Sequence, residues 1–137
     1  MPTTLEKIQE FLEQNQDIPF EFNSDTGLDC YTLTERFLKK YAKVTLPDRQ
    51  YIYDNWDTDP AYVSEQVRAS LGAELDTVDL ETDTLQPGDV FVFMHKALHT
   101  IGLMISEKEA VGASQSVGII RFYPEDYTII EAFRPVL

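Results

Sequence analysis

Gly27-Leu28-Asp29-Cys30-Tyr31-Thr32-Leu33 is the stretch on which the reading of the fold turns. Asn23 to Gly27, just before it, has loop composition, and Asp29 is a strong N-cap because its carboxylate accepts amides that a helix start leaves without partners. Leu33, Phe37 and Tyr41 recur at i, i+4 and i+8, so the spacing predicts a helix with one apolar stripe and with Cys30 in its first turn. Thr45-Leu46-Pro47-Asp48 closes the unit. A single cysteine excludes an internal disulfide, and a lone cysteine is by default a small buried hydrophobe. Position separates this one from that default. A thiol at a helix mouth faces the positive end of the macrodipole, which favours thiolate, whereas free cysteine, with a pKa near ~8.5, is only slightly ionised at neutral pH.

Upstream, Thr3 and Glu6 form a capping-box pattern, and Leu5, Ile8 and Leu12 share one helical face with Phe11 beside them. Downstream, Asp59-Pro60 reads as a cap followed by proline at the first helical position. Val63, Val67 and Leu71 supply the stripe, with Gly72 as terminator. Beyond Gly72 the period changes from helical to alternating. Leu85-Gln86-Pro87-Gly88-Asp89 is a turn feeding a strand from Val90 to Met94. Further strands are expected at Leu98 to Ile105, Ala110 to Ser114, Val117 to Tyr123 and Tyr127 to Phe133, the last after the turn Pro124-Glu125-Asp126. The expected class is therefore α+β: N-terminal helices packed on one face of a curved antiparallel sheet of about five strands, joined as a meander.

A nucleophilic cysteine needs a base, and the chain has two histidines, His95 and His99. His99 opens an apolar strand, where a rigid sheet can aim a ring at a helix terminus. His95 lies in the loop Met94-His95-Lys96-Ala97, beside a lysine. Two histidines four apart with one distant cysteine do not make a closed metal site, and no phosphate-binding glycine loop or dinucleotide fingerprint is present. Asp57 and Asp59 sit near Trp56, just after it, a weak pattern for glycoside chemistry.

At 137 residues the chain fits one domain, and 43% hydrophobic and 12% aromatic residues supply an ordinary core. Eleven basic against 24 acidic residues give a charge of −13, which disfavours nucleic acid and anionic membranes as partners. Met1 to Glu6 lacks a basic region followed by an apolar stretch, and no apolar run approaches the ~18 residues of a bilayer span. The expectation is cytoplasmic synthesis without membrane insertion, with incorporation into a larger particle as the route outward.

Taken in order, Gly27-Leu28-Asp29-Cys30-Tyr31, the amphipathic helix, Leu46-Pro47-Asp48, Leu85-Gln86-Pro87-Gly88-Asp89-Val90, His99 with Gly102-Leu103, and Ala113-Ser114 resemble the NlpC-type peptidase pattern. The version in phage tail-assembly proteins is the most similar. The resemblance spans nearly the whole chain, residues 1–137 as one domain, and implies a papain-like fold and hydrolysis of peptidoglycan stem peptides, typically at bonds involving D-glutamate and diaminopimelate. It implies Cys30 as nucleophile and His99 as the base that takes the thiol proton and later protonates the leaving amine. The Cys30 amide is the implied oxyanion donor, and Ser114 or Gln115 is the candidate substitute for the residue that orients His99. It implies no cofactor and no metal, and as partners the peptidoglycan substrate and other tail or hub proteins. Gly112 stands where the family carries a third polar residue, and Phe20 where it carries a tyrosine. Those two positions support a rival reading, a structural tail-tip or hub module of the same fold. A third reading is an acidic binding protein whose charge seeks a basic partner.

Overall fold

Thr3 starts the first helix as the spacing predicts: its hydroxyl accepts from the Glu6 amide at 3.2 Å, and Glu6 Oε1 accepts from the Thr3 amide at 3.3 Å. The computed structural model describes residues 3–18, 29–47, 60–95, 98–114 and 118–137. Phe20, the 23–27 loop, Trp56, Asp57 and Asp59 lie outside the described residues.

Helix α1 runs Thr4–Asn15, α2 Cys30–Tyr41 and α3 Pro60–Glu74. The buried face of α1 is Ile8, Phe11 and Asn15, not the expected Leu5 line; Leu5 is 55% exposed. The helix is turned so that Phe11 meets Phe37 of α2 edge-on, ring centroids 5.3 Å apart, and Asn15 stays satisfied by donating to the Phe11 carbonyl at 2.8 Å. Tyr41, expected inside, is half-buried and its hydroxyl donates to Glu10 at 2.8 Å. Gly72 does not stop α3. The helix continues to Glu74 and Leu75 bonds back to the Leu71 carbonyl.

Six strands follow: β1 Asp76–Thr77, β2 Val90–His95, β3 Leu98–Met104, β4 Ala110–Ser114, β5 Gly118–Phe122 and β6 Ile129–Arg134. All described pairings are antiparallel, in the order β1-β6-β2-β3-β4-β5. This corrects the expected meander. The last strand returns to pair with β2, and the extra strand β1, two exposed residues long, has no apolar alternation by which to be read. Pro124–Asp126 form a 3-10 turn whose Pro124 carbonyl accepts from Tyr127, which delays β6 to Ile129.

One face of the sheet, through Val90, Ile101, Leu103, Val111 and Phe133, packs with Ile8, Phe11, Leu33, Phe37, Leu38, Val67 and Leu71 of the helices. The opposite face carries a second cluster around Phe91, Phe93, Met104, Ala110 and Ala132, with Phe122 and Tyr127 against it. Phe93 and Phe122 lie 4.9 Å apart by centroid. Gly102 makes this aromatic layer possible: a Cβ there would sit 2.5 Å from Phe91 Cζ and 3.0 Å from Phe122 Cζ.

Arg134, the last residue of β6, clamps the turn before β2. Its Nε and Nη2 donate to the two carboxylate oxygens of Asp89, each at 2.9 Å, while Nη1 reaches Asp83 at 2.8 Å. Asp89 is 1% exposed and also accepts from the Gln86 amide at 2.8 Å. Gly88, between them in sequence, sits at φ 92°, where L side chains are strained, and a Cβ would meet Leu137 at 2.7 Å. The Asp89 carbonyl and the Gly88 amide both bond Met104, so this clamp also holds the end of β3.

Asp89→Asn removes the charge from a buried fork and leaves Arg134 underpaired, and is expected to cost about 2–4 kcal/mol, seen as a lower urea midpoint at unchanged slope. Asp83→Asn costs less. The Arg134 guanidinium holds the Asp83 carboxyl below its ordinary value, so Asp83 contributes stability above the unfolded carboxylate pKa and loses it as pH falls. The gap between wild type and Asp83→Asn is therefore expected to close in acid. Gly102→Ala is expected to cost about 1–3 kcal/mol by overpacking, read from the same urea titration.

Candidate active site

Asp29 builds the mouth of α2. Its Oδ1 accepts from the Thr32 amide at 2.9 Å, and the Thr32 hydroxyl accepts from the Asp29 amide at 2.8 Å, a complete capping box that leaves both side chains buried. Thr32 is the partner that the sequence reading passed over; its signal was the Asp-x-x-Thr spacing. Thr34 ties the same turn by donating its hydroxyl to the Cys30 carbonyl at 2.9 Å. Tyr31, 1% exposed, donates its hydroxyl to the Pro47 carbonyl and so pins the helix start to the segment that follows α2.

Cys30 is therefore the first residue of a doubly tied turn, half-buried against the helix-face core. The sulfur lies at β3, where backbone hydrogen bonding from Ile101 reaches it. The sheet opens there. Among the described residues, β3 and β4 pair only at Leu103–Val111 and Met104–Ala110, while β4 stays paired with β5 as far as Ser114. The mouth of α2 thus meets β3 beyond the last of these β3–β4 pairs.

The charge state of the thiol departs from the sequence expectation. Burial pushes Cys30 up to about 12, and the Asp29 carboxylate adds to the rise. Backbone hydrogen bonds from Ile101, Tyr31 and Cys30 itself pull toward thiolate and are outweighed. The residue that caps the helix places a negative charge beside the sulfur, offsetting the dipole that the helix supplies.

His99 lies on β3 opposite Met94 and two residues before Ile101. Ser114 is the last residue of β4, opposite Gly118. The side chains of His95, His99 and Ser114 lie outside the described residues, as does Gln115. Gly112 is enclosed: a Cβ there would lie 3.3 Å from the Phe122 ring and 3.8 Å from the Ile101 carbonyl oxygen. A side chain at this position requires the Phe122 ring to give way slightly. Among the described residues no group of three or more histidine, cysteine or acidic side chains is arranged to hold a metal ion.

This architecture is the NlpC/P60 fold. The chain superposes with a TM-score of 0.61 on a protein from Staphylococcus aureus subsp. aureus Mu50 described as similar to lipoprotein, NLP/P60 family, at 17% identity. The match covers 98% of this chain and 42% of that one, so the chain spans less than half of that neighbour's length. The NlpC/p60 domain of the peptidoglycan hydrolase SagA aligns with a TM-score of 0.59 and 10% identity, covering 93% of this chain and 95% of that one. No family model and no curated protein matches the sequence. Among the described residues no helix is long and apolar enough to cross a membrane.

A folded-state thiol held at about 12 stays protonated across the neutral range. Alkylation of the folded chain by iodoacetamide is expected to be slow at pH 7 and to climb until well above pH 9, whereas the urea-unfolded chain titrates near ~8.5. Because the folded value is raised, the thiol favours the fold below the unfolded value and loses that contribution as pH rises toward 12. Wild type should therefore lose stability relative to Cys30→Ala above about pH 9. Asp29→Asn keeps a competent cap and removes the charge, so its alkylation profile should move to lower pH.

Proposed function

We propose that this chain is a cysteine hydrolase, a peptidase or amidase, that cleaves peptidoglycan stem peptides. One observation supports the reading: Cys30 opens the helix α2, which packs on β3, the strand that carries His99. The NlpC/P60 fold supports the substrate class, since a domain of this fold belongs to the peptidoglycan hydrolase SagA.

Burial and the neighbouring Asp29 carboxylate raise the thiol above its ordinary value and favour its protonated form. In the proposed reaction His99 takes the Cys30 proton as sulfur attacks the scissile carbonyl, in the manner of a serine hydrolase. The tetrahedral adduct collapses as His99 gives that proton to the departing amine. Water, activated by the same imidazole, then releases the acid and restores the thiol. The Cys30 amide is the proposed oxyanion donor, and Ser114 the candidate orienter. The delivery setting, a phage tail or a related device, rests on the sequence resemblance.

The rival reading, a structural module with the same fold, draws on Phe122, which occupies the space beside Gly112 where the family pattern has its third polar group. Incubation with defined muropeptides separates the two. Wild type is expected to release free amine, Cys30→Ala none above background, and His99→Ala about 10³-fold less or lower still. Ser114→Ala, which removes the candidate orienter, is expected to lose less than His99→Ala. Equal turnover by wild type and Cys30→Ala across several stem peptides and pH values would leave the structural reading standing.

A further inference from the structure

The chain leaves α2 by turning back on itself. Lys43 sits at φ 58°, a left-handed conformation that residues other than glycine rarely adopt, and the Val44 amide bonds the Leu38 carbonyl at 3.2 Å, as in a Schellman turn. The Ala42 amide shares that carbonyl at 2.9 Å. Residues 43–47 then run on outside helix and strand, with Lys43 and Thr45 exposed and Val44 and Leu46 packed on the helix-face core. A period of two is that of extended backbone, so this segment is a strap laid on the molecule.

The strap comes back to the helix that it left. Its last residue, Pro47, accepts through its carbonyl the hydroxyl of Tyr31, the residue after Cys30 in the first turn of α2. The 12 residues of α2 make it about 18 Å long, and extended chain from 43 to 47 reaches about 17 Å. The strap therefore spans the helix with little slack, and a tyrosine side chain leaning toward the helix N-terminus meets its end. Of the three ties at the mouth of α2, the Asp29–Thr32 box and the Thr34–Cys30 bond are internal to the helix and its cap. They fix where the helix begins. The Tyr31 bond joins the mouth to another segment, one anchored in the core by Leu46.

We infer that Tyr31 is a positioning residue for Cys30: its hydroxyl, held by the Pro47 carbonyl at the end of the strap, sets how the first turn of α2 sits on β3 and so the place from which the sulfur attacks. The catalytic consequence rests on the hydrolase reading, whereas the placement of the thiol stands apart from it. Loss of the hydroxyl leaves the strap end unfastened and gives the first turn freedom to lift. Cys30, half-buried against the core, then becomes easier for a small reagent to reach and worse aligned with a scissile carbonyl. The two rates move in opposite directions, which a uniform loss of stability does not produce.

Tyr31→Phe, in the full chain, keeps the buried ring and removes the hydroxyl alone. Alkylation of the folded protein by iodoacetamide at about pH 8 is expected to be at least about threefold faster than in wild type. On a muropeptide, kcat is expected to fall at least about tenfold with KM changed by less than about twofold, since Tyr31 does not touch substrate. Asp83→Asn, which weakens the fold through the Arg134 clamp, sets the scale for lost stability and is expected to leave both rates within about twofold. Leu46→Ala, which frees the strap from the core with Tyr31 intact, is expected to show the same opposed changes in smaller degree. Alkylation of Tyr31→Phe at the wild-type rate, or no faster than that of Asp83→Asn compared at equal fraction unfolded in urea, would overturn the proposal. An unchanged kcat beside an active wild type would do the same. Equal turnover by wild type and Cys30→Ala sinks the hydrolase reading instead, and the alkylation rates still decide the placement of the thiol.

Discussion

The capping box between Asp29 and Thr32 is the constraint from which the rest of the candidate site follows. It fixes where α2 begins, and with it which residue stands first in the helix. A start one residue later would rotate Cys30 by about 100° and lift it from β3, since successive helical positions turn by that angle. Burial of Asp29 and Thr32 makes the box more than a surface ornament, because a buried cap that loses its partner leaves an unsatisfied polar group. Tyr31 and Thr34 tie the same turn from two further directions.

The cap has an electrostatic cost. A carboxylate chosen for its fit to amide donors stands next to the one thiol in the chain and works against its ionisation. The helix dipole and the backbone donors push the other way, and burial decides the balance. The thiol at this helix mouth therefore owes its charge state to the packing around it more than to the helix that carries it.

Much of this was legible in the chain. Thr3 with Glu6, Asp29 before an i, i+4, i+8 stripe, and Pro87-Gly88-Asp89 before an apolar run are local signals, and local chemistry produced the elements they announce. What escaped was long-range. Nothing near Leu5 reveals that α1 is rotated by the demand of Phe37 for an aromatic partner. Arg134 lies 45 residues from Asp89, and no periodicity marks their pairing. The place of β6 between β1 and β2 is likewise a matter of topology, which alternation within a strand does not encode. In the site, the position of Cys30 was readable, whereas its charge state depended on burial that only the packed molecule supplies.

The ring of Phe122, lying against both Gly102 and Gly112, couples two positions that are ten residues apart in the chain. A side chain at position 102 or at position 112 would press on that one ring, so bulk added to either strand is felt by the other through it. The aromatic layer thus ties the fit of β3 to that of β4 beyond the reach of their few backbone pairs.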